Sequence, residues 1–349
     1  MQRYISLQAT PDALARCRDN QAAASVQEYF IEVGNLASGA PVGIPVVMAK
    51  GAHEGPCLWI NGQVHGDEIN GMVAALRFVR ELPLNELQGS VIVTPTANPH
   101  AFDARRKRTP LDDLDLDQSF PGHDAGLATQ RLAAALTTAM AGCADALVSF
   151  HTMGPAFDCE PFAVFKQAPA HAGVSESDVL RLLAHFEPGC ACLMPLELRA
   201  GELPGHLAGA LDYWMLEAGK PAFMIELGAG GRLDNRHVAK GVQGLKGMAG
   251  ALGLFPGASA GAAPASLVRV NRYQHVTCAS GGLFERLAEP DTELRSGQAY
   301  GRIMDLYGRV TETLSFSTPA RLIGIRRDPV VHSGDRVAFV AHEWEKAVV

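Results

Sequence analysis

The 349-residue sequence lacks the marks of several protein classes. Its seven cysteines are scattered, their number is odd, and no Cys-x-x-Cys pair occurs. This pattern argues against a disulfide framework and a cysteine-type zinc site, and it indicates a reducing compartment. No uninterrupted apolar run reaches about 18 residues, so no membrane span is expected. The first residues also lack the apolar core of a secretion signal, and we therefore expect a cytoplasmic protein.

Positive charge is scarce as well. Lys and Arg number 30 against 37 Asp and Glu, which gives a net charge of −7 and argues against binding to nucleic acid or to an anionic membrane. An acidic substrate is not excluded, because local arginines can form a positive pocket on an acidic protein. Apolar residues make up 47% and charged residues 19% of the chain, as in a globular protein with a substantial core.

Apolar strand-like runs alternate with helical patterns over the first 250 residues or so, which predicts an α/β domain with a mostly parallel sheet. The runs are 45–48, 57–60, 91–93, 146–150 and 222–225, and the helical stretches are 68–81, 129–141, 176–185 and 238–252. A stretch rich in Gly, Pro, Ala and Ser follows at 255–264 and predicts a linker. We therefore expect a catalytic domain at 1–257 and a β-rich domain at 265–345.

His65 and Glu68 lie where the strand at 57–60 gives way to a helix. Both side chains can point at one metal ion there, and imidazole nitrogen with carboxylate oxygen is a zinc-type pair of ligands. The pair alone is a weak signal, because a His and a Glu three residues apart occur often by chance. The chain contains a second such pair, His342 and Glu345, which lacks the strand-helix setting and is interpreted as a solvated tail.

Other polar residues follow the remaining strand-like runs. His151 follows the run at 146–150, Glu226 follows 222–225, and Asn98 follows 91–93 ahead of an Arg-rich loop. In open α/β sheets, functional groups gather at the carboxyl ends of the strands. Alone, His151 has the alternative of a hydrogen-bonded core histidine, and Glu226 that of a capping or ion-paired carboxylate. Placed together beside His65 and Glu68, these structural alternatives lose weight.

Four segments in order resemble the succinylglutamate desuccinylase/aspartoacylase family of the zinc carboxypeptidase clan. They are NGQVHGDEING at 61–71, DLDLDQSFPG at 113–122, LVSFHTMG at 147–154 and FMIELGAGG at 223–231, and the resemblance extends from about residue 30 to about 345. It implies a zinc-carboxypeptidase-like fold: a mixed, mostly parallel sheet flanked by helices, with a β-rich C-terminal domain near the site. It also implies one Zn²⁺ per chain, held by His65, Glu68 and His151.

The resemblance further implies how an amide would be cleaved. Three protein ligands leave one position on zinc open for water, and Glu226 would act as the general base and acid. In the family, an Arg ahead of the Asp-Leu-Asn-Arg segment stabilises the oxyanion. Arg108 and Arg106 are the candidates here, and Arg108 is favoured. The alternative for this basic run, a solvated loop, must hold for at least two of its four members.

The sequence departs from the family pattern at two places. Asp117 and Gln118 stand where relatives have the Asn-Arg pair that binds the substrate carboxylate. Losing the guanidinium removes the usual carboxylate clamp, and Asp117 repels an anion, so a neutral or cationic N-acyl compound becomes as plausible as a dicarboxylic one. Arg105, Arg199 or Arg232 could have taken over the clamp. Ser149 replaces an Asp that relatives often carry two residues before the His ligand.

The sequence thus predicts a zinc-dependent amidohydrolase, a deacylase acting on a small N-acyl amino acid or related N-acyl amine, with Asn98, Asp117 and Gln118 as substrate-binding candidates. Two alternatives remain: a carboxypeptidase-like metallopeptidase, and a zinc- or ligand-binding relative without turnover. A small-molecule substrate is expected, with neither nucleic acid nor membrane as a partner, and whether the chain forms a homo-oligomer stays open.

Overall fold

A computed structural model of the protein describes residues 4–10, 12–196, 207–256 and 263–349. The strands β1 to β18 are, in chain order, Ile5–Gln8, Ser25–Asn35, Pro41–Lys50, His53–Asn61, Gln88–Thr94, Ala146–Met153, Phe157–Cys159, Phe162–Lys166, Ala191–Met194, Ala222–Ala229, Ser266–Thr277, Gly282–Arg286, Thr292–Leu294, Ala299–Met304, Val310–Ser315, Ala320–Arg326, Val330–Val331 and Arg336–Val348. The helices α1 to α7 are Ala13–Asn20, Ile69–Arg80, Pro99–Ala104, Ala128–Ala141, Glu176–Leu183, Leu211–Glu217 and Asn235–Ala251.

One large mixed sheet forms the frame of the molecule. Its strand order is β1-β2-β3-β5-β4-β6-β10-β8-β9-β11-β18-β16-β13. The four central strands β5, β4, β6 and β10 run parallel, whereas β2, β3 and β8 join their neighbours β3, β5 and β10 in antiparallel pairs. The predicted α/β class is therefore confirmed, and the parallel part is the centre of the sheet, where carboxyl ends of strands meet at one edge.

Each predicted apolar run lies within a strand, and each predicted helical stretch overlaps a helix whose first residue agrees with the prediction to within three residues. The run at 57–60 became the buried end of β4, where the Trp59 side chain is fully enclosed and its Nε1 donates to Thr94 Oγ1 at 3.0 Å. Helix α7 packs against both α2 and α5 beside the central strands, and α1 packs against α4. The continuous apolar runs and the period-3.6 patterns were reliable here because these strands and helices bury long apolar surfaces.

The C-terminal strands continue the large sheet and add a second one. β11 pairs in parallel with β9, with Arg269 opposite Ala191, and in antiparallel orientation with β18. A four-stranded sheet of order β15-β14-β12-β17 lies beside them. The β-rich character expected after residue 265 is present. The division into domains at 257 and 265 stays a prediction, because residues 257–262 of the linker lie outside the described residues.

The interpretation of His342 and Glu345 as a tail is wrong, although Glu345 is exposed to solvent as that interpretation expects. Both residues lie in β18, which pairs with β11 and β16. His342 Nε2 is 2.9 Å from Gln274 Nε2, and Glu345 accepts from Arg269. No helix in the described part of the chain is long and apolar enough to cross a membrane.

Candidate metal centre

His65, Glu68 and His151 come together at the carboxyl ends of β4 and β6. Strand pairing places Asn61 opposite Ser149, so the residues that follow the end of β4 face those at the end of β6. One ligand atom from each of the three lies within 4.8 Å of the other two, and all three side chains are buried. Among the residues that the structure describes, this is the only group of His, Cys, Asp and Glu side chains close enough to hold a metal ion.

Both histidines present Nδ1 to the same carboxylate. His65 Nδ1 is 2.8 Å from Glu68 Oε1, and His151 Nδ1 is 3.2 Å from Glu68 Oε2. The backbone N–H of Thr152 donates to Glu68 Oε2 at 3.1 Å, which fixes the carboxylate further. Two imidazole nitrogens and a carboxylate directed at one point match the ligand chemistry of Zn²⁺. The residues present therefore fit a divalent ion.

The Nε2 atoms of the two histidine rings contact different kinds of group. His65 Nε2 is 3.0 Å from Asp115 Oδ1, and Lys107 Nζ is 3.3 Å from the other oxygen of Asp115. His151 Nε2 is 3.2 Å from Ser149 Oγ. Groups of this kind fix the tautomer and the orientation of metal-binding histidines. One ring thus has a charged support and the other has a neutral one.

A second residue supports Ser149 from the neighbouring strand. Asn61 Nδ2 donates to Ser149 Oγ at 3.2 Å, and both side chains are buried. If His151 Nε2 also donates to this hydroxyl oxygen, His151 Nδ1 keeps its lone pair for a metal. The replacement of Asp by Ser at this position therefore leaves a supported histidine.

The charged groups of the centre raise the pKa of His65 and lower the pKa of Glu68. Although burial opposes the change, Glu68 and Asp115 raise the pKa of His65 to about 10 in the metal-free protein. Against the opposite effect of burial, His65 and His151 hold the pKa of Glu68 down to about 2. The cluster therefore favours positive charge at its middle, whether as protons or as a metal ion.

Glu226 lies directly beside this group. In the parallel pair of β10 and β6 it is opposite His151. Burial raises the pKa of Glu226 to about 7, and its Oε2 is sealed from solvent without a hydrogen-bond partner among the described residues. The glycine-rich loop after β10 is anchored at its far end, where Gly231 N donates to Asp67 O at 2.7 Å. A carboxylate with a pKa near neutrality can both take up and release a proton.

All four residues of the basic run at 105–108 are exposed, and Lys107 also contacts a residue of the site. Arg106 Nη2 is 2.8 Å from Asp113 Oδ1, and Arg108 Nη1 donates to Asp113 O at 2.9 Å. Lys107 is the member that contacts Asp115, and its positive charge also acts on Glu68 and Glu226. The roles of Arg106 and Arg108 as oxyanion-stabilising groups stay predictions, and Lys107 is a candidate that the sequence reasoning had not singled out.

The three substrate-binding candidates occupy different environments. Asn98 is fully buried and caps α3, with Oδ1 accepting from Ala101 N at 3.1 Å and Nδ2 donating to Thr109 Oγ1 at 2.9 Å. Gln118 is exposed, and Asp117 is half-buried in a 3₁₀ turn, Leu116–Gln118. Their contact with substrate stays a prediction, although the side-chain oxygen and amide group of Asn98 already have partners inside the protein.

Asp115 and Asn61 were missed as supports of the two histidines. Asp115 lies two residues before Asp117 in the segment 113–122, and Asn61 is the first residue of the segment that contains His65. A signal was present, because polar residues that are buried near metal-type ligands are usually hydrogen-bonded to them. Which of several nearby carboxylates and amides would reach the rings depended on loop geometry.

The fold and the centre together define a class of α/β proteins with a buried His-Glu-His group and an adjacent Glu at the carboxyl ends of parallel strands. A family model described as the succinylglutamate desuccinylase/aspartoacylase catalytic domain matches residues 54–251, more than half of the chain. The chain belongs to this family, as its four motifs had indicated.

One sequence relative and two solved structures show how similar the chain is to known proteins. It is 33% identical over 141 residues to the N-alpha-acetyl-L-2,4-diaminobutyric acid deacetylase of Halomonas elongata, and this match covers 40% of the chain and 41% of that protein. The chain thus spans about two fifths of the relative's length. The apo ectoine utilization protein EutE (DoeB) from Ruegeria pomeroyi is 25% identical, with a TM-score of 0.73, over 90% of this chain and 95% of that chain. A succinylglutamate desuccinylase from Silicibacter sp. TM1040, 23% identical, shares the fold with a TM-score of 0.78 over 93% and 96% of the two chains.

Proposed function

We propose that this protein is a zinc-dependent amidohydrolase that removes the acyl group from a small N-acyl amino acid or related N-acyl amine. The observation that carries the proposal is the buried group of His65, Glu68 and His151 with Glu226 beside it. Membership of a family named for two deacylases supports the same reaction. The cytoplasmic location stays a prediction.

The chemistry divides between the ion and the side chains. When bound, a divalent ion lowers the pKa of a water ligand and polarises the carbonyl of the scissile amide. Glu226 accepts the proton of the attacking water and donates it to the leaving amine. Its pKa of about 7 suits both steps, because the same group must be a base in the first and an acid in the second.

A cation must stabilise the negative charge that develops on the carbonyl oxygen. Arg108, Arg106 and Lys107 are the candidates from the basic run. Lys107 has support from its charge interaction with Glu68 and Glu226, whereas the other two make contacts with Asp113.

An N-acetyl amino acid is the substrate class with the best support. The Halomonas relative is named for a deacetylase of an N-acetylated diamino acid. This chain also has Asp117 and Gln118 in place of the guanidinium that would hold the carboxylate of a succinyl or aspartyl substrate. We therefore propose acetyl rather than succinyl as the acyl group.

The test is a screen of zinc-loaded protein against N-acetyl, N-succinyl and N-formyl amino acids and amines, with released amine as the readout. N-blocked dipeptides with a free carboxyl terminus form a separate arm, because turnover there would indicate a metallopeptidase. We expect hydrolysis in the N-acetyl arm and its loss on metal removal by a chelator. Absence of metal-dependent hydrolysis in every arm would overturn the proposal.

Variants test the assigned roles. His65→Ala with His151→Ala should abolish metal binding in elemental analysis, and equal metal content in variant and unmodified protein would contradict the ligand assignment. Glu226→Gln should keep the fold and the metal while turnover drops by at least about 10²-fold, the usual scale for a general base. A near-normal rate would place the base elsewhere.

A further inference from the structure

Asp117 has a carboxylate oxygen that is buried and unused. Its Oδ1 is sealed from solvent and has no hydrogen-bond partner in the described part of the chain. The side chain is held close to the metal centre, because Asp117 N donates to Asp115 Oδ1 at 3.0 Å and Asp115 in turn contacts His65. Buried carboxylates almost always have a donor or a cation as a partner.

The cations near Asp117 are already engaged by other carboxylates. Lys166 Nζ donates to both oxygens of Asp212, at 2.6 and 2.8 Å, and lies 3.3 Å from Met224 Sδ. An ammonium group has three donors, so these contacts use all of them. Lys107 Nζ, the other neighbouring ammonium, is 3.3 Å from Asp115 Oδ2, and its charge acts on Asp117 without a hydrogen bond to Oδ1.

The surroundings of Asp117 are those of the reaction site. The charges that act on it come from His151 and His65 on the metal side and from Lys166 and Asp212 on the other. A substrate whose amide reaches the metal would therefore extend past Asp117. Burial raises the pKa of this carboxyl, as expected for a group whose partner is missing.

We propose that Asp117 binds a cationic amine of the substrate, so that the enzyme selects N-acyl compounds carrying a second, free ammonium group. This inference rests on the deacylase function proposed above and names the substrate class. The ammonium would provide the donor that Oδ1 lacks, and the carboxylate would at the same time repel dicarboxylic N-acyl compounds. A charge-assisted hydrogen bond of this kind corresponds to a preference of roughly tenfold to a hundredfold.

The experiment compares Nα-acetyl-lysine, Nα-acetyl-ornithine and Nα-acetyl-2,4-diaminobutyrate with analogues in which a methyl group replaces the side-chain ammonium. In the unmodified protein we expect kcat/KM to favour at least one cationic member of these pairs by about tenfold or more. In Asp117→Asn the ratio should fall toward one, mainly through a higher KM for the cationic compound. Asp117→Ala, which also removes the buried charge, serves as a second variant and should show the same loss.

Asp124→Asn is the matched control. It removes the same charge from a side chain that is 96% exposed, and it should leave the preference unchanged. A neutral analogue preferred by the unmodified protein, or a cationic preference that persists in both Asp117 variants, would overturn the proposal.

Calorimetric binding of the free diamino acids separates this proposal from the proposed function. If no amide is hydrolysed but the diamino acids bind the unmodified protein and not Asp117→Asn, the deacylase function fails and the ammonium site stands. If hydrolysis occurs without any dependence on Asp117, the function stands and the ammonium site fails.

Discussion

At the scale of single residues, Glu226, the proposed general base, has a cost in stability. Its carboxyl has a raised pKa of about 7, above the value of 4.5 expected for a free side chain. The folded protein therefore favours the protonated carboxyl. This preference stabilises the fold fully below about pH 4.5, and the stabilisation is lost as the pH rises through 7. The rise of the pKa from 4.5 to about 7 corresponds to a loss of about 3 kcal/mol in the free energy of unfolding at high pH.

We accordingly expect metal-free Glu226→Gln to be more stable than the metal-free unmodified protein at pH 8, by up to about 3 kcal/mol. The difference should become smaller at pH 5, because the carboxyl in the folded protein is then neutral and the pH is close to the value of 4.5 of the unfolded side chain. Urea unfolding in the presence of a chelator at the two pH values measures the free energy of unfolding. Glu217→Gln, at an exposed position, is the control and should change little. Equal stability of Glu226→Gln and unmodified protein at pH 8 would contradict the raised pKa.

Lys107 permits a second prediction at this scale. Lys107→Met should lower kcat by about 10²-fold or more, the usual effect of losing an oxyanion-stabilising group, and Lys107→Arg should restore most of the rate. Arg106→Met and Arg108→Met are the comparison, because both arginines contact Asp113 and the sequence pattern favours Arg108. Steady-state rates on one N-acetyl substrate decide which of the three cations stabilises the oxyanion. A loss in the Arg108 variant alone would return the role to the residue that the family pattern indicates.

At the scale of elements, a glycine lets two segments of the site approach each other. A Cβ on Gly66 would lie 1.8 Å from Ala101 O in α3. Gly66 N also donates to Arg106 O at 2.9 Å, so the loop that contains Lys107 is anchored to the turn between His65 and Glu68. The ligand turn and the basic loop are therefore positioned together.

We expect Gly66→Ala to destabilise the fold by about 1–3 kcal/mol or more and to lower metal affinity, because backbone must move to make room for a methyl group. Gly154→Ala is a suitable control, since a Cβ there would meet nothing within 4 Å. Thermal unfolding and competition with a chelating dye measure the two effects. A Gly66→Ala protein with unchanged melting and unchanged metal affinity would show that the contact is not needed.

At the scale of the whole molecule, the C-terminal strands are tied to the catalytic edge of the sheet. Asp158 accepts from Arg232, in the segment after the glycine-rich loop, and from Arg286 of β12, whose Nη1 is 2.9 Å away. β7, which contains Asp158, also pairs with β16. The three arginines that could have taken over the carboxylate clamp lie in different settings. Arg232 contacts Asp158, Arg105 is exposed at the end of α3, and Arg199 lies outside the described residues.

The sequence by itself determined the central strands and the four main helices, and it predicted the group of His65, Glu68 and His151 with Glu226 beside it, which the structure brings together. These follow from local patterns: long apolar faces specify strands and helices, and parallel strands bring their carboxyl ends to one edge. The short strands β8 and β9 were not predicted, because a few apolar residues carry no clear period. The tertiary structure alone decided that Asp115 and Ser149 support the two histidines, that Lys107 faces the site, and that Asp117 has a buried oxygen without a partner. The contact of Asp115 with His65 joins residues far apart in the chain, and the geometry of the others depends on how loops fold over the sheet edge.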